Sequence, residues 1–492
     1  MPYQNPIIPG FHPDPSITRV GEDYYLVTSS FEYFPGVPIF HSRDLVHWNQ
    51  IGHVLDRESQ LPLTGCRPSG GIYAPTIRYH EGLFYMITTN VSGMGNFIVH
   101  AKDPAGLWSE PVLIQQGGID PSLFFDDDGK VYFTGTGPVN GVQGIAMFEI
   151  NPMTGEQLSP VHLAWEGTGG RYPEGPHIYK IDGWYYLMIS EGGTEMGHMM
   201  TAARSKTPMG VYEACPHNPI LTHRNDMEGI ISGTGHADLV QAHDGNWWMV
   251  FLAFRMSEPY FHHLGRETFL APVTFENGWP VVNGGKPITL QMDCETLALS
   301  PEPTKAVRDD FHDGIDLPWN YLRNPDSSKY AFGPDGLTLK GSPYTLNDKA
   351  SPTFLGRRQE QFDGTFCTHV QPLHIGNDAQ AGVTVYYGPQ NHYDLYLSGS
   401  KVCLKKTIGD LSAIVYEASF TGECELEVRF EKLSYAFSYG QPGEEKRLAG
   451  TALTRFVSTE VTPCSFTGVY LGLYAQGDCQ CRFRWAAYED KR

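Results

Sequence analysis

GFHPDPSITRVGEDYYLVTSS, from Gly10 to Ser30, carries one unit of a pattern that recurs along the chain. Asp14 stands between two prolines at the mouth of a short strand, a polar turn follows, and the aromatic run Tyr24-Tyr25-Leu26-Val27 closes the unit. Four further copies begin at Ala74 (APTIRYHEGLFYMITT), Asp120 (DPSLFFDDDGKVYFTGT), Gly175 (GPHIYKIDGWYYLMIS) and His236 (HADLVQAHDGNWWMVFLAF). Each pairs an apolar strand with an aromatic one across an acidic or glycine-bearing turn, the signature of a hairpin. The turns read as Glu22-Asp23, Glu81-Gly82, Asp128-Gly129, Asp182-Gly183 and Asp244-Gly245.

The spacing of the copies, roughly 45 to 60 residues, is too long for a solenoid coil and suits four strands with their loops, the content of one propeller blade. Five copies predict a five-bladed β-propeller. The first strand of each blade lines the central channel, so the strand openers Asp14, Ala74, Asp120, Gly175 (with Glu174 before it) and His236 converge there. Three carboxylates and a histidine meeting at one end of a channel predict an active site.

The bulk numbers frame this reading. A length of 492 residues exceeds one ordinary core and predicts two domains. With 41% hydrophobic and 13% aromatic residues in strand-sized runs, the composition is all-β. The net charge of −20, from 35 basic and 55 acidic residues, excludes nucleic acid and anionic membranes as natural partners and suits a neutral ligand. Nine scattered cysteines without C-x-x-C spacing predict reduced thiols. The opening MPYQNPIIPGF enters the fold without a basic start or an apolar run, and no 18-residue apolar span follows, so the expected location is cytoplasmic.

Within the blades, the prolines beside Asp14 hold its backbone extended. Phe31 lies just past a strand end and is a candidate pocket wall, as is Tyr73 in SGGIYAP, whose Gly70 and Gly71 permit close backbone approach. Tyr33 and Phe34 read as rings packed between blades. Asp120, in a second Asp-Pro pair, faces the same small site as Asp14, and two such carboxylates shift each other's proton affinity, which separates acid from base roles. Asp126, Asp127 and Asp128 read as a solvated hairpin. Glu174, set among glycine and proline beside Tyr172, is the candidate general acid, with Glu191 a weaker one at the end of a second strand. His236 either ligates a metal such as calcium or hydrogen-bonds a carboxylate. Arg266, in LGRETF, either donates to sugar hydroxyls or keeps a carboxylate ionised.

Those residues carry a family resemblance. GFHPDPS, SSFEYFPGVPIFHSRDLVHW, GGIDPSLFFDDDG, EGPHIYK, GTGHADLV and LGRET together resemble the glycoside hydrolase family 43 enzymes, most closely the β-xylosidase group with a C-terminal sandwich. The resemblance implies that Asp14 is the general base, that Asp120 tunes proton affinity and orientation, and that Glu174 is the general acid. It also implies an inverting mechanism, with the base and acid carboxyls roughly 6.5 to 9.5 Å apart to admit a water. The chain departs at Tyr73, where this group often has tryptophan, and that position bears on which sugar is bound.

CETLALSPEPTK, between Asp293 and Lys305, reads as a Pro-bearing linker. Beyond it, even turn-bounded strands such as GLTLKG, AGVTVYYG, HYDLYLS and CELEVRFE predict a β-sandwich of jelly-roll type. The expected domains are a propeller over 1–295 and a sandwich over 306–492. SPTFLGRRQ and SFTGVYLGLY resemble the sandwich of the same xylosidases, which implies a cap on the pocket and makes Phe466 a candidate sugar contact. Two readings of function remain open. One is an exo-acting glycosidase releasing terminal β-D-xylose, or secondarily α-L-arabinofuranose, from xylo-oligosaccharides or arabinose-substituted oligosaccharides, with no required cofactor. The other is a non-catalytic carbohydrate-binding protein. Homo-oligomerisation is compatible with either.

Overall fold

The computed structural model describes residues 2–226, 229–293, 298–301, 307–462 and 465–491, and the architecture is β throughout. Five antiparallel sheets, four of four strands and one of five, are built from consecutive chain segments. Their first strands are Ser16–Val20, Thr76–His80, Ile119–Phe125, Glu174–Ile181 and Ile231–Gln241. These five strands touch in cyclic order, the last against the first, and so enclose a channel. The ring is a five-bladed propeller, as the repeat predicts. Its N-terminal chain fastens the last blade: Pro2–Gln4 pairs with Gln291–Asp293, and the Asn5 side chain both donates to the carbonyl and accepts from the N–H of Leu270.

Most hairpin turns fall where expected. His80 pairs with Leu83 around Glu81-Gly82, and Ile181 with Trp184 around Asp182-Gly183, with both turn residues at positive φ as a type I′ turn requires. In the first blade the turn is one residue earlier, because Val20 pairs with Asp23 and leaves Gly21-Glu22 at the tip. The acidic run of the third blade corrects a second expectation. Asp126 is buried, and its carboxylate accepts from Lys180 Nζ and Tyr185 OH, each at 2.8 Å, which ties blade three to blade four.

The channel is plugged below the strand openers by a polar network that spans the ring. Arg78 forks onto Asp238 at 2.7 and 3.1 Å, and Asp238 also accepts from Tyr179 OH and Ser16 Oγ at 2.6 Å each. Arg78 further donates to His177 Nδ1 at 2.9 Å. Burial pushes the His177 imidazole down to about 3, so it is a neutral acceptor here. A buried charge pair is tolerable only when its remaining lone pairs and protons are satisfied, and this one is satisfied from four blades.

The C-terminal part forms a β-sandwich of two eight-stranded sheets. Alternate residues of its long strands, among them Val383, Val385, Leu395, Val428, Phe437, Leu473 and Phe483, fill the space between the sheets. One strand of this sandwich comes from the propeller. Tyr33–Phe34 pairs with Tyr321–Leu322 at the edge of a sandwich sheet, and Tyr33 stacks on Tyr470 with centroids 3.8 Å apart. The Tyr33 ring therefore joins the two domains, where the sequence suggested packing between blades, while the Phe34 ring does pack against the cluster between blades one and two. Arg358 donates to Phe11 O at 2.6 Å and the fully buried Arg323 to Cys66 O at 2.7 Å, adding charge-assisted bonds across the same seam. The linker read from Asp293 to Lys305 lies largely outside the described residues. No helix among the described residues is long and apolar enough to cross a membrane.

Candidate active site

The strand openers reach the channel mouth through one repeated backbone device. Asp14 (φ +54°), Asp120 (φ +54°), Gly175 (φ +58°) and His236 (φ +46°) all adopt the left-handed conformation. In blades three, four and five a register irregularity accompanies it, between Ile119 and Ser122, Glu174 and His177, and on either side of Gly235. A bulge of this kind re-aims a side chain out of the strand's alternation, at a backbone cost of order 1–2 kcal/mol for a non-glycine residue. Three blades bear that cost at the same level of the ring, and the fourth avoids it with Gly175.

The result is a cavity of about 820 Å³ over the channel. Asp14, Asp120, Glu174, His236, Phe31, Tyr73, Arg266 and Phe466 all line it, so these eight candidates are brought to one place. Asp14 is buried, with Oδ1 accepting from Arg266 Nη1 at 2.8 Å and Oδ2 from Ser29 Oγ at 2.5 Å. Burial by itself raises this carboxyl, but the Arg266 guanidinium, the His236 imidazole and the Ser29 hydroxyl outweigh it and hold the group below the usual carboxylate range. Asp120 is buried too, and the pull of Arg266 on it is outweighed. Burial, then the facing carboxylates of Glu174 and Asp14, raise it well above that range. Its Oδ2 accepts the Gly175 N–H at 3.2 Å, which ties Asp120 to the peptide that follows Glu174. Two carboxyls at one site are thus driven in opposite directions by their surroundings.

Arg266 is the hub between the domains. Besides Asp14 it donates to Thr194 Oγ1 at 3.1 Å and to the Phe466 carbonyl at 3.3 Å. Its guanidinium carbon lies 5.6 Å from the Phe31 ring centre and 5.8 Å from that of Phe466. Phe31, Tyr73 and Phe466 form an aromatic wall, with centroids 5.2 Å apart for Phe31 and Tyr73 and 6.0 Å for each pair involving Phe466. Phe31 holds its place because Gly71 (φ +75°) lets two strands come together: a Cβ there would lie 2.2 Å from Phe31 O. The sandwich supplies Phe466, whose N–H donates to Ser69 Oγ at 2.9 Å, and Glu460, whose carboxylate accepts from His262 Nδ1 at 2.6 Å on the rim.

Other expectations are revised. Glu191 is fully buried, and its carboxylate accepts from Thr168 N, Thr168 Oγ1, Gly170 N and Thr201 Oγ1, so it anchors a loop and does not face the cavity. His236 has Nδ1 at 3.6 Å from Asp14 Oδ1, and its backbone N–H donates to Ser190 Oγ at 2.6 Å. Calcium takes six to eight oxygen ligands, and among the described residues no group of three or more His, Cys, Asp or Glu side chains could hold a metal ion. A calcium at His236 would draw its oxygens largely from water. Ser29 and the rim pair His262–Glu460 were not legible as site residues, because a serine ending a strand and a His-His dipeptide carry no signal until the blades close.

Comparison with known proteins agrees with this geometry. Residues 3–280 match the profile of Glycosyl hydrolases family 43, and residues 308–489 that of the Beta xylosidase C-terminal Concanavalin A-like domain. The chain is 43% identical over 507 residues to the non-reducing end alpha-L-arabinofuranosidase BoGH43B of Bacteroides ovatus, covering 99% of this chain and 94% of that protein. It is 42% identical over 501 residues to a xylosidase/arabinosidase of Butyrivibrio fibrisolvens, covering 96% of each. The solved structure of the Bacteroides ovatus xyloglucan-locus GH43B superposes with a TM-score of 0.95 at 40% identity, over 100% of both chains. A propeller whose channel gathers carboxyls in opposed environments, capped by this sandwich, is accounted for by one lineage: the chain belongs to glycoside hydrolase family 43 and is a glycoside hydrolase.

Proposed function

We propose that this enzyme removes single pentose units from the non-reducing ends of xylo-oligosaccharides, with terminal β-D-xylose the first choice, by an inverting mechanism. The observation that carries the reading is the opposed electrostatics of the carboxyls in a cavity capped by a second domain. Asp14, held ionised by Arg266, is the general base. Each of its oxygens keeps a lone pair beyond its bond to Arg266 or Ser29, so a water can be deprotonated there. As that water's oxygen attacks the anomeric carbon, Glu174 gives its proton to the glycosidic oxygen and the bond to the leaving sugar breaks. Asp120 steadies the Glu174–Gly175 peptide by accepting the Gly175 N–H. Phe31, Tyr73 and Phe466 present apolar faces to the sugar ring, and Arg266 has N–H groups for its hydroxyls. The enclosing sandwich favours action on chain ends, and no metal enters any step.

The test is a side-by-side rate assay on an aryl β-D-xyloside and an aryl α-L-arabinofuranoside, with Asp14→Ala as blank. A dominant xyloside rate with a dead blank supports the reading; silence on both substrates overturns it in favour of another pentose linkage. A dominant arabinofuranoside rate supports a second reading, a side-chain debrancher, which the name of the Bacteroides ovatus relative favours. Glu174→Ala is expected to keep far more activity on the aryl glycoside, whose leaving group hardly needs a proton, than on xylobiose. Equal losses on the two would remove Glu174 as the acid. A reducing, cytoplasmic setting is part of this proposal, supported by seven free thiols among the described residues, six of them buried. So are the domain limits 1–295 and 306–492, supported by sheets that, apart from the shared strand Tyr33–Phe34, divide near that linker.

A further inference from the structure

SGTGHADLV supplies His236 and Asp238 to the channel, but its glycines are not explained by either. A Cβ on Gly235 would lie 2.3 Å from Nδ1 of His198. His198, directly before the strand Met199–Ser205, is fully buried. Its main chain is fixed on both sides, by its N–H to Glu195 O at 3.0 Å and by Thr222 Oγ1 donating to its carbonyl at 3.0 Å. The imidazole lies between two groups. Nδ1 faces the Gly233 carbonyl at 3.4 Å, and Nε2 faces Oε1 of Glu174 at 3.4 Å. A carbonyl accepts only, and Oε1 can be held while the acid keeps its proton elsewhere only if it accepts too, so the pairing requires the ring with N–H at both nitrogens, Nδ1–H towards Gly233 and Nε2–H towards Glu174.

We infer that His198 is a positioning residue for Glu174: its Nε2–H donates to Oε1 and so leaves the acid's proton on Oε2, the oxygen available to the cavity. The contact is longer than a finished hydrogen bond, as is common for catalytic pairs before substrate arrives, and closure of the site on a sugar shortens it. Gly235 belongs to the same device, since only an absent side chain leaves room for the ring. This inference rests on Glu174 being the general acid.

Two glutamine-family substitutions separate the ends of the ring. In His198→Gln the side-chain amide reaches the place of Nε2, whereas in His198→Asn it reaches only that of Nδ1. Gly235→Ala keeps His198 and displaces its ring. Each variant is assayed on two glycosides of whichever pentose the wild type cleaves, one with a 4-nitrophenol leaving group and one with a sugar. General acid catalysis is worth roughly 10²–10⁴-fold. On that scale His198→Asn and Gly235→Ala are expected to lose about 10- to 100-fold in kcat on the sugar glycoside and less than about 3-fold on the aryl one, with KM little changed. His198→Gln is expected to recover most of the loss. Equal losses on both substrates, or Asn performing as well as Gln, would overturn the inference and leave His198 a packing residue. If the His198 variants do not fold, Gly235→Ala alone decides by the same split. Glu174→Ala, run alongside, distinguishes the two levels: without a split there, the acid assignment fails; with a split there and none in the others, only the role of His198 fails.

Discussion

Asp14 divides its oxygens between a guanidinium and a hydroxyl, and that division governs its behaviour with pH. Because Arg266 draws the carboxyl below its ordinary range against the opposing effect of burial, the base stays ionised into mildly acidic solution. Arg266→Ala removes the cation and leaves the burial, so the carboxyl rises. The acidic limb of the kcat/KM profile is expected to move to higher pH, and the plateau to fall by about 10²-fold or more. An unmoved limb would show that Arg266 serves the sugar and not the base. Arg266→Lys should recover little, since one ammonium cannot span Asp14, Thr194 and the Phe466 carbonyl together.

At the scale of the strand, the inner hairpins perform two tasks on different residues: openers kinked into the left-handed region face the cavity, and Arg78, His177 and Asp238 below them lock the ring. Arg78→Met strands the buried Asp238 charge, and a loss of about 3–5 kcal/mol is expected in denaturant unfolding at pH 7. Asp238 is depressed in the folded state despite its burial, chiefly by Arg78. Its contribution is therefore complete above the unfolded carboxylate value of about 4 and withdrawn as pH falls below it, so the deficit of Arg78→Met should narrow in acid. A deficit that does not change with pH would place its cause in packing. Asp14, Asp120, Glu174 and His236 were legible because each opens a copy of the repeat, and a repeat fixes which residues share an axis. The left-handed kinks were not legible, since aspartate and histidine visit that region without a sequence mark. Nor was the Arg78–Asp238 pair, whose partners lie 160 residues apart in different blades.

For the whole molecule, the two domains share a sheet, a stacked tyrosine pair and several arginine bonds to backbone carbonyls. Calorimetry is expected to show one unfolding transition for propeller and sandwich together, and two separated transitions would show that the seam is weak. The division into propeller and sandwich was legible from the change in strand pattern after the linker. The shared strand was not, because Tyr33–Phe34 is two residues long and its partner stands near residue 321. That separation bears on how the protein is born. Chains grow at about 5–20 residues per second, so the loop bearing Phe31 leaves the ribosome roughly 15 to 60 seconds before the strand that receives its neighbours. Phe466, the third ring of the aromatic wall, follows later still, 435 residues after Phe31. A chain that stops short of Phe466 would carry all three carboxyls and still lack the third ring of the wall, so the pocket is finished only after most of the sandwich has been made.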